Sequence, residues 1–401
     1  MVKSLVSQKL WFSIPVWAFA SFFLSFEGSG EAAEPSVISS ASCTQGWIAL
    51  FNGVDLFGWE VKEGQGSLSS VHSGGLILSS SVELGPTELT TVAPWGDYDL
   101  LIGAAVSSPS KECRAVLELD SDLTESEESG SLTLLFSNGA TSSMTSEIGE
   151  ASSTHDLKAM TPPMTSLIQV RGEHVAVIVA GEKVQEVTLS HQSSNQLRLV
   201  SLVAESDIRI SSLWARPHGL NQLFNESDLS GWHIRKEVRP DRPGIDVRVE
   251  EGVIRIQGGP GYLESDNEFA DFHARFRIRV EQNTNGGSKS GVYFRATRYP
   301  GENFVDWPLG IKVQVLNQQE DYSTGGLEGR YPAHDLYSED GEWFWLDICA
   351  RGPQIRTWVH GMPTTVYTDT KGEYQSGVIA LQGWDAKNLV YYGAVEIAEL
   401  P

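Results

Sequence analysis

An internal repeat constrains this chain more than any other feature. Residues 46–59 read GWIALFNGVDLFGW, and residues 219–232 read GLNQLFNESDLSGW. Three further echoes follow in the same order. Asp97-Tyr98-Asp99 returns as Asp271-Phe272-His273. Arg171-Gly172 ahead of Gly181 returns as Arg351-Gly352 ahead of Gly361. IRISSL at 208–213 returns as VEIAEL at 395–400. Matches kept in order indicate a tandem duplication, so both copies must adopt one architecture. The expected domains are 44–216 and 219–401. They meet at Arg216-Pro217-His218-Gly219, where Pro and Gly break regular structure.

Both copies read as β. Residues 273–280 (HARFRIRV) alternate strictly, with Ala274, Phe276, Ile278 and Val280 on one face. His273, Arg275, Arg277 and Arg279 take the other face, expected to be solvated. Residues 292–297 and 311–316 alternate likewise, as do 344–350 and 355–360 around the turn Arg351-Gly352-Pro353-Gln354. No long helical period follows residue 33. Short strands punctuated by Gly, Pro, Asn and Asp predict an all-β chain of two tandem β-sandwich (jelly-roll) domains.

Ahead of the repeat, Lys3 and Lys9 precede an apolar run, Leu10 to Phe26, and then small residues to Ala33. That order predicts a signal peptide over 1–33; the competing reading is an uncleaved anchor. Export to the periplasm or outside the cell follows, without stable membrane insertion after cleavage. In an oxidising compartment Cys43 and Cys113 have the option of pairing, while Cys349 reads as a buried thiol. A net charge of -23 excludes a nucleic-acid partner, which needs a basic footprint.

The copies differ in content. Residues 34–216 hold 9 basic, 23 acidic and 8 aromatic residues, and the second copy holds 18, 27 and 23. The first includes an acidic loop, Asp120 to Glu128, read as solvated. Large aromatics dominate recognition surfaces and cores, so a ligand site is expected in the second copy.

The opening LFNG-x-DL-x-GW, at Leu50–Trp59 and Leu223–Trp232, resembles the start of the 3-keto-disaccharide hydrolase domain family. The second copy continues the likeness through Ser290-Gly291-Val292-Tyr293-Phe294-Arg295, GIKVQVLN at 310–317, Thr324-Gly325-Gly326-Leu327, Gly341-Glu342-Trp343 and GVIALQ at 377–382. The first copy resembles it at its ends and hairpin. The resemblance implies a secreted concanavalin-like sandwich acting on oxidised sugars. Three positions depart from the family pattern. Lys312 stands where Glu is usual, Trp384 where His is usual, and Tyr391-Tyr392-Gly393 where Phe-Arg-Asn is usual.

A ketone at C3 of a sugar acidifies the C2 hydrogen, so the glycosidic C1–O bond can break by elimination before water adds. That route needs a base at C2, donors for the enolate oxygen and an acid for the leaving oxygen. The catalytic candidates are His334, Asp335, Arg295 and Lys312. The substrate-binding candidates are Gln314, Asn317, Glu328, Arg330, Gln382, Trp384 and Asp385. Lys312 and Gln314 share a strand face, being two residues apart. Trp384 is the expected sugar-stacking aromatic. Trp343, Trp345 and Trp358 read as core, with a stacking platform of Trp345 and Trp358 as the alternative. Trp59 and Trp232 read as anchors of each domain's start. The expected partner is an oxidised disaccharide or glycoside. No metal-ligand spacing, phosphate-binding Gly loop or nucleophile elbow is present, so no cofactor is expected. The competing reading is a carbohydrate-binding or adhesion protein that kept the fold and lost the chemistry.

Overall fold

A computed structural model of the chain describes residues 40–61, 69–72, 74–78, 87–92, 95–106, 115–120, 132–138, 142–148, 151–156, 164–179, 181–188, 196–201, 208–237, 244–282, 288–301, 303–304 and 306–400. The expected signal peptide, Cys113 and most of the acidic loop lie outside them. A short helix, α1 (Ser40–Thr44), precedes the strands. Among the described residues no helix is long and apolar enough to cross a membrane.

The first unit is built of two antiparallel sheets. One runs β13 (Glu182–Thr188), β12 (His174–Val179), β11 (Met164–Arg171), β6 (Tyr98–Val106), β15 (Ile208–Pro217), β4 (Gly75–Leu78) and β3 (Ser69–His72). In it β1 (Ile48–Ala49) also pairs β15. The other runs β10 (Ala151–Asp156), β9 (Ser142–Ile148), β8 (Leu132–Asn138), β7 (Ala115–Asp120), β14 (Gln196–Ser201), β5 (Thr87–Val92) and β2 (Glu60–Val61).

The second unit repeats this topology. One sheet runs β18 (Ile245–Glu250), β19 (Val253–Gly258), β28 (Leu389–Glu399), β21 (Phe272–Val280), β24 (Trp343–Arg351), β25 (Gln354–Val359) and β26 (Met362–Thr368). Here β16 (Asn221–Gln222) pairs β28, as β1 pairs β15. Its second sheet runs β17 (Trp232–Lys236), β20 (Gly261–Phe269), β27 (Gly377–Gly383), β22 (Ser290–Ala296) and β23 (Ile311–Val315). Strand for strand the orders correspond, except that β9 and β10 have no counterpart. The chain that follows β23 instead forms a long connection to β24.

The repeated motif has one physical job in both units. Its Asn and Asp cage a tight turn: Asn52 Nδ2 donates to Asp55 at 2.7 Å, and Asn225 Nδ2 to Asp228 at 2.8 Å. Backbone N–H groups at 54 and 57, and at 227 and 230, are capped by the same side chains. Such Asx turns satisfy donors that a strand cannot. The closing Trp then folds back, its indole donating to Leu50 O at 2.8 Å or Leu223 O at 3.2 Å.

Each core lies between its two sheets. In the second unit Phe272, Ala274, Phe276, Ile278 and Val280 all point inward, as the alternation of 273–280 predicts. The opposite face departs from expectation. His273 and Arg275 are buried rather than solvated, because the first unit packs on them. Asp347 on β24 accepts from Arg275 Nε at 2.8 Å and lies 2.9 Å from His273 Nε2. Burial pushes the Asp347 carboxyl up, but Arg275 and His273 outweigh it and hold it below the usual range. Arg275 also donates to Cys43 O at 2.6 Å and lies over Trp345. Arg277 and Arg279 stack on Trp343 instead.

Trp358 is buried at this junction, its indole donating to Ala49 O at 3.0 Å and its ring 5.7 Å from Trp95. It joins the first unit's core and offers no sugar platform. Cys43 and Cys349 are free, buried thiols. Cys43 Sγ donates to His360 O across the junction. A charge cluster is tolerable this deep only because its members find partners.

Candidate functional site

The outward face of the five-stranded sheet contrasts with this packed junction. Leu263, Val292, Phe294, Val313, Ile379 and Leu381 point into the core. Alternation therefore turns Tyr262, Glu264, Tyr293, Lys312, Gln314, Ala380 and Gln382 to the other face, where all seven are nonetheless buried. The register places Glu264 opposite Ala380, Ala380 opposite Tyr293, and Tyr293 opposite Lys312. The neighbouring row holds Tyr262 opposite Gln382 and Gly291 opposite Gln314.

Lys312 anchors one end of this face. Its ammonium lies 2.8 Å from Glu328 and 5.7 Å from the rings of both Tyr293 and Trp384. Its stem lies across Gly291, where an added Cβ would fall 2.2 Å from Lys312 Cε. Only Gly leaves room for it. Lys289 also reaches Glu328, at 3.3 Å, and lies over Trp384. Gln314 Nε2 makes a longer contact to Glu328, 3.4 Å. Glu328 is delivered by the Thr324–Leu327 segment, which pairs along β23 through Val313 and Leu327. Gly326 allows this, since a Cβ there would meet Ala333 N at 2.7 Å.

Burial brings the Lys312 ammonium down to about 8, against the upward pull of Glu328. Burial also pushes Glu328 up, but Lys312 and Lys289 together hold it below the usual carboxylate range. The groove thus presents an amine that is partly neutral near physiological pH, as an acid–base group requires.

Aromatic rings line the middle. Trp384, 38% exposed, stacks on Trp307 with centroids 5.6 Å apart, and Trp307 lies parallel to Tyr293. At the far end Glu264 Oε1 accepts from Arg235 Nε and from Arg298. Four buried polar atoms on this one face have no hydrogen-bond partner: Gln314 Oε1, Gln382 Oε1, Glu264 Oε2 and the Tyr262 hydroxyl. Such atoms are uncommon in native proteins, and each is a group that water or a ligand can complete; the sealed junction holds two as well, His273 Nδ1 and Asp347 Oδ2.

Of the sequence-derived candidates, Lys312, Gln314, Glu328, Gln382 and Trp384 come together here. The others lie elsewhere. Alternation would put Arg295 on the face with Tyr293, but a bulge between Tyr293 and Ala296, with φ of 48° at Arg295, turns it away. Arg295 instead donates to Ala270 O, Gly352 O and Asp271, tying two turns together. His334 pairs with Asp55 of the first unit at 3.0 Å and stacks on Phe57. Asp335 is exposed and caps Leu336 N. Asn317 Oδ1 holds Thr324 and Ser338, fixing the connection after β23. Arg330 reaches Glu373 and lies over Tyr374. Asp385 caps Lys387 N in the turn after Trp384. Of the Tyr391-Tyr392-Gly393 departure, Tyr392 points into the core and Tyr391 lies under Arg279.

Sequence reasoning missed Tyr262, Glu264, Tyr293, Lys289, Arg235, Arg298 and Trp307. The signal for Tyr262 and Glu264 was present: both flank the core residue Leu263 at period two. Arg298 and Trp307 sit in a connection with no periodicity to read. Among the described residues no group of three or more His, Cys, Asp or Glu is placed to hold a metal ion.

Comparison with known proteins places the fold in context. A candidate glycosyl hydrolase from Parabacteroides distasonis ATCC 8503 is 17% identical, covering 46% of this chain and 94% of its own, with a TM-score of 0.37. The carbohydrate-binding module CBM66 from Bacillus subtilis is 15% identical over 41% of this chain and 93% of its own, with a TM-score of 0.30. Likenesses this distant carry no argument about activity. No curated protein matches the chain. The family match covers residues 219–398 and does not include the first unit. Over those residues the second sandwich matches the model of the 3-keto-alpha-glucoside-1,2-lyase-like domain family.

Proposed function

We propose that this is an exported carbohydrate-active protein whose second sandwich cleaves the glycosidic bond of 3-keto-glycosides by elimination and hydration. The carrying observation is the joint presence, on one sheet face, of buried Lys312 paired with half-buried Glu328 and a set of orphaned acceptors. Gln314 Oε1, Gln382 Oε1 and Glu264 Oε2 all need donors, and sugar hydroxyls are donors. Trp384 and Trp307 add flat apolar surface for a sugar ring.

In this reading neutral Lys312 removes the C2 proton, and the electron pair moves onto the C3 oxygen as an enolate. Lys289 and the Gln314 amide stabilise that charge. Collapse of the enolate expels the C1 oxygen, which takes its proton from a water molecule. The hydroxide so formed then adds at C1, and the proton held by Lys312 returns to C2. Glu328 keeps the amine aimed at the groove. The first sandwich packs on the other sheet of the second and takes no part in the chemistry.

Purified protein incubated with 3-keto-trehalose should release free sugar faster than buffer alone. No release, together with tight binding of the unmodified disaccharide, would favour a binding module instead. That second reading has its own support, because Lys312 is already engaged by Glu328 at 2.8 Å.

A further inference from the structure

Glu328 aims the Lys312 amine, and the segment that carries it is fastened at two ends. The entry arm is tied to the groove sheet: Gln314 N donates to Gly326 O at 2.8 Å, and Glu328 N to Lys312 O at 3.0 Å. A tight loop follows, closed by Leu327 and Tyr331, which exchange backbone hydrogen bonds of 2.7 and 2.9 Å. The exit arm then leaves the sheet. Pro332 has no N–H to donate, and His334 N is tied to Thr364 O of β26 at 2.7 Å.

The His334 side chain reaches further, into the first unit. Its Nε2 lies 3.0 Å from Asp55 Oδ2, and its ring stacks on Phe57 with centroids 4.1 Å apart and planes 6° from parallel. Asp55 has an oxygen to spare for this. Its Oδ1 closes the turn by accepting from Asn52 Nδ2 and Phe57 N, which leaves Oδ2 for His334. The duplication supplies a control. Asp228 closes the equivalent turn of the second copy through Asn225 and Ser230 N, on an exposed surface. Ser230 stands there where the first copy has Phe57. The turn therefore forms without an aromatic ring, and what Phe57 adds is the stack on His334.

We propose that Asp55 and Phe57 are positioning residues for the groove. Through His334 the first unit holds the exit arm of the Glu328 loop, and with it the carboxylate that aims Lys312. The proposal rests on the reading of Lys312 as the base, and the first unit supplies no reacting group in it. The ion pair is partly exposed, 32% for the His334 side chain and 44% for Asp55, so it adds little to stability. Aiming is more demanding than stability, because a displacement of about 1 Å can cost up to about 10²-fold in rate.

The test combines kcat and KM for 3-keto-trehalose with amide hydrogen–deuterium exchange across residues 324–338. His334→Ala should lower kcat about tenfold, leave KM within about twofold and speed exchange at Leu327, Glu328 and Tyr331 several-fold. Asp55→Asn combined with Phe57→Ala should reproduce this from the first unit's side. Phe57→Tyr, which keeps the ring, should not. In a Glu328→Gln background His334→Ala should cost less than about twofold more, because both changes act on one carboxylate. If His334→Ala does not fold, the first-unit pair carries the test, since it leaves the second sandwich's sequence intact. Unchanged exchange, or losses that multiply fully with Glu328→Gln, overturns the positioning role while turnover by the wild type keeps the elimination reading. Faster exchange in the variants of a protein whose wild type does not turn over 3-keto-trehalose supports the clamp and sinks the elimination reading. Unchanged exchange with no wild-type turnover overturns both.

Discussion

The two outer faces of the second sandwich carry the same kinds of residue and do opposite things. The face built by β21, β24 and β25 presents His273, Arg275, Asp347 and Trp358, and the first unit seals it. The face built by β17, β20, β27, β22 and β23 presents Arg235, Glu264, Lys312 and Gln314, and it retains four orphaned polar atoms. On the sealed face each charge has a protein partner, although His273 Nδ1 and Asp347 Oδ2 have none. On the groove face several acceptors wait for donors. Neither residue type nor unpartnered atoms alone locate the site; what separates the two faces is that the first unit covers one of them.

Substitutions separate the two faces. The largest expected effect is on turnover: Lys312→Met should reduce release of sugar from 3-keto-trehalose by about 10²–10⁴-fold. Its apolar stem still fills the space over Gly291, so the urea midpoint should stay within error of wild type. A large fall in both would merge the faces and break the comparison. Asp347→Ala should do the reverse. It strands Arg275 and His273 without their carboxylate and should lower unfolding free energy by about 3–5 kcal/mol in urea titrations. Turnover by the folded fraction should persist.

Smaller effects sharpen the contrast. Trp384→Ala removes a stacking surface worth about 0.5–1.5 kcal/mol, so KM for 3-keto-trehalose should rise up to about tenfold. An unchanged KM would remove Trp384 from the groove's working surface. Asn225→Ala uncages the opening turn of the second unit and should cost about 1 kcal/mol in thermal unfolding, with no change in KM.

The duplication, the all-β class and the inward face of 273–280 were legible because period-two alternation and turn chemistry are local. The groove was legible where it followed the same rule: Lys312 and Gln314 share a strand and a face. It was not legible at Arg295, because a single bulge reverses a side chain without changing composition. His334 was read as a base from its type and loop, but its partner Asp55 sits in the other unit. Arg275 looked solvated because no alternation reports that a second domain covers the polar face. Glu264 escaped notice because its meaning depends on Arg298 and on an unpartnered oxygen, both properties of the folded chain.

The central claim is that a buried amine in the groove acts as a base, and the pH dependence of kcat/KM for 3-keto-trehalose tests it most directly. Burial lowers Lys312 from its ordinary value to about 8, so the neutral, base-competent form gains population as pH rises to that point. After subtraction of the uncatalysed alkaline elimination, activity should climb roughly tenfold per pH unit below about 8 and then level off. A profile that is flat or falling from about pH 6 to about pH 9 would contradict the assignment of Lys312 as the base.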